Sequence, residues 1–289
     1  MQINNPSIQN RYDFVVLFDV ENGNPNGDPD AGNMPRTDAE TGNGIVTDVC
    51  LKRKIRNYIE LLHNDAPGHK IFIKEILNDK LEEAYAVFNL EKKSKDSEKV
   101  KMAQNWLCEQ YYDVRTFGAV MSTGDHPCGV VRGPVQMNFA QSIEPIAPQE
   151  ITITRMARTD KKRAETGETE MGKKSYVPYA LYKAEGFISA ALAGKTGFSE
   201  SDLELLWEAI ANMFEHDRSA ARGKMIVRKL IVFKHETVLG NAPSHTLLER
   251  VRIERTEKNA DTPARHYSDY AVTVDAENLP EGIKIHEKV

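Results

Sequence analysis

The sequence predicts an α+β fold, a sheet carrying helices and inserted segments. Three observations predict it. Tyr12–Val20 (YDFVVLFDV) is almost continuously apolar, as a central strand buried on both faces is. Ser199–Glu215 opens on a serine cap with Asp202 at its third position and repeats Leu203, Leu206, Ile210 and Phe214 at helical spacing. Helical and strand-like stretches interleave without a regular βα period, which argues against a doubly wound sheet.

Between the first strand and the first helix lies a Gly/Asn/Asp/Pro-rich stretch over 21–47, read as a long functional loop. Thr47 then caps a helix, with Asp48 at the positive end of its dipole. Leu51, Ile55, Tyr58 and Leu62 repeat along the expected core face, and Lys52, Arg53 and Arg56 form a basic flank. Ile71–Lys74 is a short strand candidate, followed by helices over Asp79–Leu90 and Ser97–Tyr112. Val131–Phe139 reads as one strand, with Val131, Val135, Met137 and Phe139 on its buried face and Arg132, Gln136 and Asn138 on its polar face. ITITR is half of a hairpin, and the charged KKRAETGETEMGKK that follows reads as a projecting insertion. Arg222–His235 is a further buried strand with basic ends.

Of 289 residues, 40% are hydrophobic and 28% charged, enough for a sizeable core in one domain or two. The formal charge of −5 excludes an indiscriminate nucleic-acid binder, yet cations cluster locally: four in residues 51–56 and five in residues 222–234, each without an anion. Three cysteines without CxxC spacing argue against a disulfide framework or a zinc knuckle and suit a reducing cytosol. With no apolar run of spanning length and a polar first segment unlike a signal peptide, the expectation is a cytoplasmic protein with no membrane partner.

The candidate chemistry is mostly backbone-directed. Lys52, Arg53 and Arg56, opposite Arg36 in the glycine-rich loop, suit phosphates. Arg115, Phe117 and Met121 combine a cation with apolar wedges that stack on or between splayed bases, and core packing explains the two apolar residues equally well. Arg132, Gln136 and Asn138 offer a hydrogen-bonding strand face, and Arg155, Arg158, Lys173 and Lys174 flank the insertion. The loop Asn22–Asp30 approaches a calcium-binding pattern, but Asn33 stands where a bidentate Glu is required, so turn-building is the stronger reading. Asp19 and Glu21 with Asp28 or Asp30 form the carboxylate set of a rival, a metal-dependent endoribonuclease. Asp125–His126–Pro127–Cys128 gathers nucleophile chemistry without an opposed base. No phosphate loop or nucleotide fingerprint is present, and no cofactor, metal or catalytic residue is expected.

FDVENGNPNGDPDAGNMPRTD, then TDVCLKRKIRNY, DVRTFGAVM, GPVQMNFAQSIEPI and ITRMARTD, in that order over about residues 10–240, resemble the CRISPR-associated Cascade backbone subunit, nearest its type I-C variety. The resemblance implies a single RRM-like (ferredoxin-like) palm over 1–289, with helical fingers at 75–112 and a thumb at 150–175, in a right-hand shape. It implies a non-catalytic subunit whose copies stack head to tail along one crRNA and present it for pairing with target DNA. The implied partners are the 5′-handle subunit, the large PAM-reading subunit and small subunits. Related backbone subunits of type III effectors cleave RNA with a loop aspartate, which gives the nuclease rival substance.

Overall fold

The computed structural model describes residues 6–74, 76–155, 170–257 and 262–289. Its central strand is β1 (Tyr12–Gly23), paired antiparallel with β10 (Glu170–Ile188) on one side and β11 (Lys224–His235) on the other. The path across the sheet runs β14 (Ile283–Glu287), β11, β1, β10, β8 (Ala140–Pro145), β4 (Asn43–Val46), with β7 (Val135–Met137) and β9 (Gln149–Arg155) on other parts of β10.

Alternation along β1 feeds two cores. Phe14, Val16, Phe18 and Val20 pack beneath helices α1 (Asp48–His63) and α6 (Glu200–Asn212), numbered after the short α5 (Ala190–Thr196). Val15 and Leu17 face a C-terminal layer made of α7 (Ser244–Leu248) and the β12–β13 ladder (Val251–Arg255 with Tyr270–Val274), which Ile283 of the sheet's edge strand β14 joins from the side. That second cover is why an antiparallel strand reads as continuously apolar. The Phe14 ring crosses Gly186 so closely that a Cβ there would stand 2.1 Å from Cζ, so only glycine fits.

The serine-capped helix forms as its spacing predicts. Ser199 and Asp202 close a capping box, and Leu203, Leu206, Ile210 and Phe214 are buried. Thr47 caps α1 by accepting from the Cys50 N–H. The buried face of α1 is Leu51, Ile55 and Ile59; Leu62 lies outside, half exposed, and Tyr58 only borders the core.

A third core, separate in sequence, gathers residues 72–131: Phe72, Leu81, Tyr85, Leu107, Val114, Met121 and Val131 among others. It is built from α2 (Leu77–Val87), α3 (Ser97–Gln110), α4 (Tyr112–Phe117) and the hairpin β5 (Gly118–Met121)–β6 (Gly129–Arg132). Ile71–Lys74 is not the strand its composition predicts. The Phe72 and Ile73 N–H groups donate to the buried Asp113 carboxylate at 2.7 and 3.0 Å, which replaces a ladder.

Nor is 21–47 structureless. β1 continues to Gly23, β2 (Gly27–Asp28) pairs with β3 (Met34–Pro35), and β4 joins the sheet through β8. Asn26 Oδ1 accepts from both the N–H and the hydroxyl of Thr47, at 3.0 Å each, tying the segment to the helix cap. The Val131–Phe139 stretch divides into β6 and β7 at Gly133–Pro134. After β7 the alternation breaks, so Phe139 stands 54% exposed instead of joining the core. β9 pairs with Glu170–Tyr176 of β10, the hairpin that ITITR predicts.

Candidate nucleic-acid interface

Three segments meet beside the first turns of α1. Gly118, at φ +83°, begins β5 directly after α4. A Cβ on Gly133 would lie 2.2 Å from the Phe117 carbonyl carbon, so the two backbones press together there and glycine is required. Gln136, on β7, spans the junction. Its amide nitrogen donates to the Phe117 and Gly133 carbonyls, at 3.3 Å each, and its Oε1 accepts from Lys52 Nζ at 3.3 Å. Lys52 also pairs with Asp48 at 2.9 Å and lies 5.7 Å from the Phe117 ring centre. Arg53 follows on the helix, exposed, and Arg132 sits opposite Gly118 in the β5–β6 ladder, exposed. Neither arginine makes a hydrogen bond or ion pair among the described residues. Asn138 is exposed two positions beyond Gln136. The result is a strip of cations and side-chain amides, suited to a chain of phosphates rather than to base-edge readout.

Four expected contact residues are buried. Arg56 is buried, its Nε donating to Asp113 at 2.8 Å while its guanidinium lies 5.2 Å from the Phe117 ring centre. Arg115 is buried in a two-point pair with Asp202, at 3.0 and 2.7 Å, and donates to the Cys108 and Gly68 carbonyls. Phe117 belongs to the main core and Met121 to the 72–131 core, so neither is a free wedge. A buried guanidinium requires a fixed carboxylate, and Asp113 and Asp202 supply one to each arginine. Arg36 is half-buried, 3.4 Å from Asp28, in the loop hairpin. Lys173 pairs with Glu150 at 2.7 Å on the exposed β9–β10 ladder, and Lys174 follows it half-exposed. Arg158 and the Arg155 side chain lie outside the described residues.

Asp19, Glu21 and Asp28 of the rival carboxylates are each engaged, while Asp30 is exposed. Asp19, buried, accepts from Arg228 Nε at 2.9 Å and from the Tyr179 hydroxyl at 3.1 Å. Glu21 pairs with Lys224 at 3.0 Å. Asp28 caps a short 3-10 turn by accepting from the Asp30 N–H, and Asp38 accepts from the Glu40 and Thr41 N–H groups, so turn-building is what these side chains do. Among the described residues, no group of three or more His, Cys, Asp or Glu side chains is placed to hold a metal ion. Asp125 is exposed with Lys92 at 3.2 Å, which holds its carboxyl below the usual range, and His126 packs its ring edge against Tyr85. Cys128 is buried in the 72–131 core, and burial pushes its thiol up to about 11. A thiol so placed has almost no thiolate at neutral pH. Iodoacetamide at pH 7 is therefore expected to leave Cys128 unmodified in the folded protein and to alkylate it after denaturation. Rapid labelling of the native chain, read by mass spectrometry of its peptides, would refute this.

The junction residues Asn26, Gly118 and Gly133, and the exposed Phe139, were absent from the expected site. Gly133 was the one readable signal, a glycine–proline pair inside an alternating stretch.

The family model for CRISPR-associated protein Cas7 matches residues 10–275. A Cas7 protein of Haloferax volcanii is 25% identical over 228 residues, 70% of this chain, and the match spans 65% of that relative's own length. A chain of a solved CRISPR RNA-guided surveillance complex in its pre-nicking form shares the fold at TM-score 0.51, with 14% identity, 77% of this chain and 78% of that chain covered. A second CRISPR RNA-guided surveillance complex chain matches at TM-score 0.44 and 14% identity, over 77% of this chain and 68% of its own length, too distant to argue from. No helix among the described residues is long and apolar enough to cross a membrane. The chain belongs to the CRISPR-associated Cas7 family.

Proposed function

We propose that this protein is the non-catalytic, crRNA-binding backbone subunit of a Cascade surveillance complex of type I-C. The observation that carries the reading is the strip of Lys52, Arg53, Arg132 and Gln136, assembled from three distant segments, with Arg53, Arg132 and Gln136 exposed on a chain that is acidic overall. A backbone-tracking surface is what a guide of varying sequence demands. The order β1–α1–β7/β8–β10–α6–β11, with β11-β1-β10-β8 across the sheet, supports an RRM-like palm. The 72–131 core, which includes 75–112, takes the place of fingers, and the β9–β10 ladder that of a thumb over 150–175. In this reading copies stack head to tail along the guide and present it to target DNA in the cytoplasm, with the handle-binding, PAM-reading and small subunits at the ends and flanks. The engagement of Asp19, Glu21 and Asp28 with cations favours this scaffold over a nuclease.

Purification from cells expressing a CRISPR array and the partner subunits tests the reading. The expected result is repeat-derived RNA bound to several copies, and complementary RNA left intact in Mg²⁺. Complexes lacking guide RNA would overturn the proposal, and Mg²⁺-dependent cleavage abolished by Asp28→Ala would install the rival.

A further inference from the structure

Where the second half of α1 lies against α6, an open groove of about 630 Å³ marks the helical face of the protein. Leu62, Leu205, Trp207 and Ala211 give it an apolar lining. Trp207 is held edge-on against Phe14 of the main core, with ring centres 5.2 Å apart, so the groove exists before anything enters it. Leu62 is 49% exposed and Leu61 beside it 61%, on a helix whose other face is fully packed. His63 and His69, their rings stacked at 3.9 Å, line the groove at the end of α1. Burial, then the neighbouring His63 and Arg115, hold His69 below its usual value, so it is largely neutral at pH 7. On α6, Glu200, Glu204 and Glu208 are exposed and four residues apart, so the three share one face. Lys288, 3.2 Å from Glu204, is the only lysine or arginine lining the groove among the described residues.

We infer that this groove docks a basic amphipathic helix of a different protein subunit. The inference rests on the multi-subunit assembly proposed above. A helix laid between α1 and α6 sets its apolar side chains on Leu62, Leu205 and Trp207, and its lysines or arginines against the glutamates at the rim. An added strand has no place here, because α1 and α6 use their backbone groups in their own hydrogen bonds. The excess of carboxylates repels phosphates, so RNA is not the occupant. Two copies of this chain meeting groove to groove would set glutamates against glutamates, so the partner is of another kind. Leu62 lies about 15 Å further along α1 than Lys52, far enough for this partner and a strand on the cationic strip to be held together.

The test uses the complex assembled in cells that express a CRISPR array and the partner subunits. Zero-length carbodiimide coupling joins a carboxylate to a lysine that it already touches. It should link Glu204 or Glu208 to a lysine of one other subunit, and in the isolated chain it should link Glu204 to Lys288. Native mass spectrometry of complexes carrying Glu204→Lys with Glu208→Lys should show that same subunit depleted about tenfold or more, the usual worth of a close charge pair across an interface. Guide RNA and copies of this chain should be retained. Leu62→Ser should act in the same direction through the apolar lining. All three positions are exposed, so the fold should hold, and circular dichroism checks it. Variants that keep every subunit at native occupancy, or that lose copies of this chain instead, overturn the docking site and leave the crRNA-binding function standing. A native chain recovered with neither guide RNA nor partner overturns both.

Discussion

Asp202→Ala is expected to lower stability by about 3–5 kcal/mol, the usual cost of removing one partner from a buried ion pair. The Asp202 carboxylate accepts from Arg115 Nε and Nη2, and from the Ser199 N–H and hydroxyl at 2.9 Å each. Its loss leaves a guanidinium buried with only backbone carbonyls for partners, and it removes the Asp202 half of the capping box of α6, while the Ser199 hydroxyl still accepts from the backbone N–H of residue 202. Because a domain of this kind has about 5–15 kcal/mol in all, the effect is a large fraction of the total. Urea denaturation should show a lower midpoint at nearly unchanged slope. The paired change Arg115→Met with Asp202→Leu should recover most of the loss, since it removes both charges together. If Asp202→Ala moved the midpoint as little as an exposed substitution does, the pair would not be joining the 72–131 core to α6.

That pair also shows where the sequence stops being legible. β1 and α6 could be read because their signals are local: a continuous apolar run, and a serine cap with period-3.6 leucines, both of which formed as expected. The roles of Arg56 and Arg115 could not be read, because their carboxylates lie 57 and 87 residues away and a guanidinium on a basic flank looks the same in sequence whether buried or exposed. Phe139 was misplaced for a related reason. Alternation is a strand property, and one break after Met137 reverses every later assignment. The strands of the 21–47 segment are not legible in the sequence, since β4 exists only by pairing with β8, nearly a hundred residues on in the chain. Charge and polarity alone single out Lys52, Arg53, Arg132 and Gln136 as candidates. The contact of Gly133 with the α4–β5 junction, which gathers them, is a tertiary fact.

Combining Lys52→Ala, Arg53→Ala and Arg132→Ala should flatten the salt dependence of RNA binding more than it alters the fold. Each phosphate contact on a single strand contributes about 0.7 to the slope of log affinity against log salt, so three lost contacts reduce it by about two. A fourfold rise in salt should then weaken the native protein about 20-fold more than the variant. Stability should change little. Arg53 and Arg132 are exposed with no partner among the described residues, and the Lys52–Asp48 pair is a partly exposed i,i+4 contact worth about 0.3–0.5 kcal/mol. Gln136 keeps its two backbone carbonyls, so the junction itself should hold. The same assay on Lys173→Ala provides the contrast: that lysine already faces Glu150 in solvent, and a slope change smaller than for Arg53→Ala is expected. Equal slopes for the triple variant and the native protein would show that RNA runs across another face.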